Sequence, residues 1–179
     1  MEKIRFTVAK PGADRVYHIT PEQVKIVLSR LPYERWRMLR VVHFNDTSKG
    51  ARVLGYVTSG RREIAVVALP PRMSGTRFLV KGQSPEEFGA VRGAQWPELA
   101  IQRFLLYNVF LRELGHLQVI DEKAKSTRRK YAREGKAQEF AMHWCRALWR
   151  EPFDHPDPVH NKPSKQEIAE VKARLGVQG

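Results

Sequence analysis

The chain has 179 residues, enough for one domain with a substantial apolar core. A hydrophobic content of 42% against 28% charged residues excludes a wholly disordered chain, and no apolar run approaches the roughly 18 residues that a membrane helix needs. The net charge of +13 raises the prospect of an anionic partner, nucleic acid or an acidic protein.

The opening stretch MEKIRFTVAK lacks an apolar signal core, and Cys145 stands alone, so no internal disulfide can form. A cytoplasmic protein is expected. Thr20-Pro21-Glu22-Gln23 reads as a helix start, with Thr20 as cap, Pro21 at the first helical position and Gln23 closing a capping box. Val24, Val27 and Leu28 then share one face, and Pro32 ends the helix. Three strand-like runs follow: Arg37 to Phe44, Arg52 to Thr58 and Glu63 to Leu69. Asn45-Asp46 with Lys49-Gly50, and then Ser59-Gly60, supply turns between them, which predicts an antiparallel meander.

Residues 72–95 read as a long connection with one helical turn at Ser84-Pro85-Glu86-Glu87. Pro97 opens the longest predicted helix, running to about Gln118. Ala100, Ile101, Phe104, Leu105, Val109, Phe110, Leu111 and Leu114 occupy most of its circumference, the mark of a central, buried helix. A further helix is predicted over 135–149. A proline-rich strap over 150–163 and a last helix over 164–176, opened by a second capping box at Ser164-Lys165-Gln166-Glu167, complete the chain. The class that follows is α+β in a single domain, with helix and strands in 1–71.

The charge gathers locally at Lys123, Lys125, Arg128, Arg129, Lys130, Arg133 and Lys136, interleaved with Asp121, Glu122 and Glu134. Tyr131 is the stacking aromatic of that segment, and no helix-turn-helix, zinc-finger or aromatic RNA-binding signature accompanies it. A basic protein associated with nucleic acid is therefore one reading of the chain, resting on charge.

Chemistry concentrates at Arg112-Glu113-Leu114-Gly115-His116. A helix turns about 100° per residue, so positions 112, 113 and 116 lie on one face. The stretch FLLYNVFLRELGHLQVIDE, followed by AQEFAMHW, resembles the active-site helices of zincin-type metallopeptidases of the gluzincin class. It is similar in particular to small bacterial zincin-like proteins whose helix reads HELGHLQ. The likeness extends to SPEEFGAVRGAQWP and to EPFDHPDPVHN.

That resemblance implies a zincin-like fold, with an N-terminal antiparallel sheet packed on a buried active-site helix over 97–118 and a glutamate helix over 135–149. It implies Glu113 as general base, His116 as a zinc ligand and Glu139 as the later glutamate ligand. It also implies peptide hydrolysis, with an extended peptide docked on an edge strand corresponding to Glu63 through Leu69.

The departure is Arg112, which stands where the first histidine ligand belongs. A guanidinium has no lone pair for a metal and repels a dication. His143, four residues after Glu139, stands where an aspartate often orients that first histidine. Two outcomes follow. Arg112 takes the metal position and pairs with Glu113, Glu139 or both, leaving a metal-free pseudoenzyme that acts by binding. Alternatively His143 replaces the lost ligand, so that His116, Glu139 and His143 hold zinc in a working hydrolase. The first is favoured on charge. His155 and His160, with Asp154 and Asp157, read as a hydrogen-bonded strap ahead of a separate metal cluster. Tyr131, His155 and His160 are alternative transition-state hydrogen-bond donors should catalysis survive. His18 and His43 show no partner pattern, and Cys145 reads as a core thiol.

Overall fold

Thr20 caps α1 (Pro21–Arg30) as its sequence requires. The Gln23 backbone N–H donates to Thr20 Oγ1 at 3.2 Å, and the Thr20 N–H donates to Gln23 Oε1 at 3.0 Å. Val24, Val27 and Leu28 are the buried face of the helix. These elements come from a computed structural model, which describes residues 3–47, 53–119 and 127–176. The predicted turn residues Lys49-Gly50, the first residue of the second strand run (Arg52), and Asp121, Glu122, Lys123 and Lys125 of the basic segment lie outside the described residues.

Four strands form one sheet: β1 (Arg5–Val8), β2 (Val41–Asn45), β3 (Gly55–Thr58) and β4 (Glu63–Val67), in the order β1-β2-β4-β3. β1 was not among the predicted runs. The expected antiparallel meander is corrected. β2 pairs in parallel with both β1 and β4, and only the β3–β4 hairpin, closed by a turn at Ser59–Arg61, is antiparallel. The reason is burial. β4 reads EIAVV and is buried along nearly its whole length, the pattern of a strand covered on both faces. β3 reads GYVT and ends exposed, so it suits an edge. Placing β4 inside and β3 outside buries more apolar surface than a sequential meander would. It also moves the expected docking strand, because Glu63–Val67 is paired on both sides and the sheet edge beside it belongs to β3.

The connection over 72–95 is irregular but packed. Short 3₁₀ turns occupy Thr76–Phe78 and Pro85–Phe88, the latter closed by the Ser84/Glu87 capping box. Phe88 and Trp96 are buried and meet Phe104 edge-on, at centroid separations of 5.2 and 5.6 Å. Gly75 allows this closure, since a Cβ there would stand 2.7 Å from the Trp96 ring.

The central helix is built in three consecutive segments: α2 (Glu98–Phe104), a π-helical stretch over Leu105–Phe110, and α3 (Leu111–Gln118). Every residue from 103 to 111 is buried. Behind it runs α4 (Thr127–Arg150), which starts earlier than the predicted 135 and is the longest single helix of the described chain. α5 (Lys165–Gly176) follows the strap. One apolar cluster joins α1, the sheet, the central helix, α4 and the strap, from Ile19 to Val159. The architecture is α+β.

α3 and α4 touch at Gly115. A Cβ there would stand 3.0 Å from the Ala137 carbonyl oxygen and 3.1 Å from Phe140 Cβ. A branched side chain forces the helices apart, so Gly115→Val should lower unfolding free energy by about 1–3 kcal/mol in urea titration.

Candidate functional site

α3 carries Arg112, Glu113 and His116 on neighbouring turns. Leu111 and Leu114 are fully buried and fix the helix rotation, which turns Glu113 inward until it is 4% exposed. Its partner is the adjacent arginine. Arg112 Nη2 donates to Glu113 Oε1 at 2.9 Å and Nε donates to the same oxygen at 3.2 Å. Burial pushes the Glu113 carboxyl above its usual range, and the Arg112 guanidinium pulls against that rise. The edge strand lies directly over this pair: a Cβ on Gly55 would be 3.5 Å from Glu113 Cγ. The gap enclosed by Gly55, Ile64, Val109 and Glu113 holds only about 10 Å³ and is otherwise apolar, which leaves no room there for a water with its own partners.

His116 faces a different carboxylate from the expected one. Its Nε2 lies 3.4 Å from Glu134 Oε2, and the Glu134 side chain is 63% exposed. Glu139 and His143 are both exposed on α4. The helix explains this placement. Ala137 packs on Gly115, and Glu139 lies about 200° around the axis from it. His143 meets Trp144 edge-on, with ring centroids 5.2 Å apart. The structure therefore brings Arg112 to Glu113 and His116 to Glu134, and brings neither Glu139 nor His143 to His116. Among the described residues no group of three or more His, Cys, Asp or Glu side chains is arranged to hold a metal ion. As they stand, these side chains do not fit the zinc centre that the motif implies.

The strap is tied by hydrogen bonds. His155 N donates to Asn161 Oδ1 at 2.9 Å, Asn161 Nδ2 returns to the His155 carbonyl at 2.9 Å, and Asp157 N donates to His155 Nδ1 at 3.0 Å. His160 is 1% exposed. Its Nδ1 lies 2.8 Å from the Tyr107 hydroxyl, which in turn accepts from Arg30 Nη1 at 3.1 Å. The Tyr107 hydroxyl and His160 Nδ1 share one hydrogen bond, and His160 Nε2 is buried without a partner among the described residues. Burial lowers the His160 pKa to about 4 and raises that of Tyr107 to about 12.

Other titratable groups are structural. His43 joins three strands, with Nδ1 2.6 Å from Thr7 Oγ1 and Nε2 3.1 Å from Glu63 Oε2. His18 is held between Glu98 Oε1 at 2.7 Å and the Pro70 carbonyl at 2.8 Å. Cys145 is buried, and burial pushes its thiol up to about 12, which makes it a poor nucleophile. Of the basic segment, Lys130, Tyr131 and Lys136 are exposed on the first turns of α4.

Comparison with known proteins finds no match to a protein family, to a curated protein or to a solved structure.

Two features escaped the reading of the sequence. Glu134 shares the face of α4 defined by Ala137, Ala141, Cys145 and Leu148, and that periodicity was a signal that could have placed it toward His116. Asn108 is buried in the π-helical stretch, where its Oδ1 accepts from Gln83 Nε2 at 2.8 Å and from Gln138 Nε2 at 3.0 Å. No local signal announced it.

Replacing Arg112 with leucine strands a buried carboxylate. Arg112→Leu should destabilise the fold by about 1–3 kcal/mol in urea titration, and adding Glu113→Gln should recover most of the loss.

His160 sets a pH dependence whose sign is fixed. Its folded pKa lies below the ordinary histidine value, so the unfolded chain binds more protons between about pH 6.5 and pH 4. The contribution is fully present above that window and is lost as pH falls through it. Thermal midpoints should decline across it, and His160→Gln should flatten that part of the profile.

Proposed function

We propose that this chain is a zincin-like domain whose hydrolytic centre is closed, and that it acts by binding an extended peptide rather than by cutting one. The observation that carries the reading is the Arg112–Glu113 pair, in which the residue in the metal-ligand position donates twice to the carboxylate that would serve as general base. An oxygen that already accepts two charge-assisted hydrogen bonds is a poor proton acceptor for water. The arginine thus takes the ligand position and holds one oxygen of the base, Oε1.

The binding half of the reading rests on β3. This strand is at the edge of the sheet, lies over Glu113, and has no strand on its outer side among the described residues. Backbone N–H and C=O groups along such an edge pair with an extended chain, while alternate side chains of that chain meet the neighbouring surface.

The test combines elemental analysis, a fluorogenic peptide library and fluorescence anisotropy with labelled extended peptides. Purified protein should hold substoichiometric zinc, should not hydrolyse the library, and should bind peptide saturably. Methylating alternate peptide amides should abolish that binding. Stoichiometric zinc together with hydrolysis that Glu113→Gln removes would overturn the reading. In Arg112→His the scaffold regains a donor, and zinc uptake is expected. Glu134→Gln and Glu139→Gln on that background then identify which carboxylate serves as the ligand.

A further inference from the structure

A cleft of about 720 Å³ opens where the chain enters β3. Its walls bring together Arg15, Arg72 and Arg77 with the hydroxyls of Ser74 and Thr76, and among the described residues no aspartate or glutamate lines it. Leu54, Met73 and Phe78 give it an apolar floor. The three arginines differ in freedom. Arg15 is fixed, its Nε donating to Asp46 and its Nη2 to the Ala68 carbonyl, and Asp46 balances its charge. Arg77 lies over the Phe78 ring at 4.8 Å. Arg72 is exposed and makes no hydrogen bond or ion pair among the described residues.

A free guanidinium over an apolar floor, in walls without a carboxylate, matches a carboxylate on a short aliphatic stem. The fork of N–H groups donates to both carboxylate oxygens, and the methylenes cover the floor.

Position supplies the second argument. Val53 and Leu54 line the cleft, and Gly55 begins the free edge strand. A chain paired along β3 would project a side chain into the cleft as it passes the start of the strand. We propose that this cleft is the specificity pocket of the peptide site and selects an acidic side chain, glutamate or aspartate, in an extended peptide. The proposal rests on the peptide-binding reading above.

The test uses two labelled extended peptides, identical except for one glutamate exchanged for glutamine, in anisotropy titrations against the full chain. Preference for the glutamate peptide should be about tenfold. Arg72→Ala should remove most of that preference and Arg72→Glu should reverse it. Because Arg72 is exposed and has no partner among the described residues, both variants should fold, which far-ultraviolet circular dichroism checks. Equal affinity for both peptides, or a preference that survives Arg72→Glu, overturns the pocket and leaves peptide binding standing. Failure of both peptides to bind overturns the pocket and the peptide reading together. Tight, steeply salt-dependent binding of an oligonucleotide that competes at this cleft would likewise overturn the proposal.

Discussion

A helix buried on every side must carry its own polar groups into an environment without water, and each of those groups must find a partner there. The central helix is under that constraint over 103–111, where every residue is buried, and the rest of the structure is arranged around it. Arg103 is 2% exposed and reaches Glu167 of α5 and the Pro158 carbonyl of the strap. Tyr107 takes Arg30 from α1 and His160 from the strap. Asn108 gathers Gln83 and Gln138. Segments distant in sequence are drawn in by one helix, turn by turn. Partners that lie far apart along the chain also specify a single packing, because a shifted register would strand several buried groups at once.

Glu113 is the exception that defines the site. Its partner is its own neighbour, so nothing is fetched from elsewhere, and the ion pair is self-contained within one turn of α3. The Arg112 guanidinium supplies the positive charge that a buried carboxylate needs.

Local chemistry was legible in the sequence wherever it was self-sufficient. The capping boxes at Thr20 and Ser164, the helical turn at Ser84, and the nearly all-round apolar character of the helix opened by Pro97 follow from residues within a few positions of each other. The pairing of Arg112 with Glu113 was one of the outcomes anticipated on charge. What was hidden depended on competition between distant segments. The sheet order followed from β4 being more apolar than β3, a comparison that short turns obscured. The partner of His116 followed from the rotation of α4, which the match at Glu139 did not test against the apolar face at Ala137 and Ala141. The cleft at Arg72 gathers arginines from separate loops, and no run of charge marks it.

The π-helical stretch sets an angle. A widened turn over 105–110 acts as a one-residue insertion into an α-helix. Everything beyond it is rotated by about 100° relative to an uninterrupted helix. The direction in which Arg112, Glu113 and His116 face, relative to the half of the helix that holds Arg103, is therefore encoded between them as a phase. Lineages could change that phase by losing a single residue here, swinging the whole cluster toward a different wall of the molecule while leaving every one of its side chains in place.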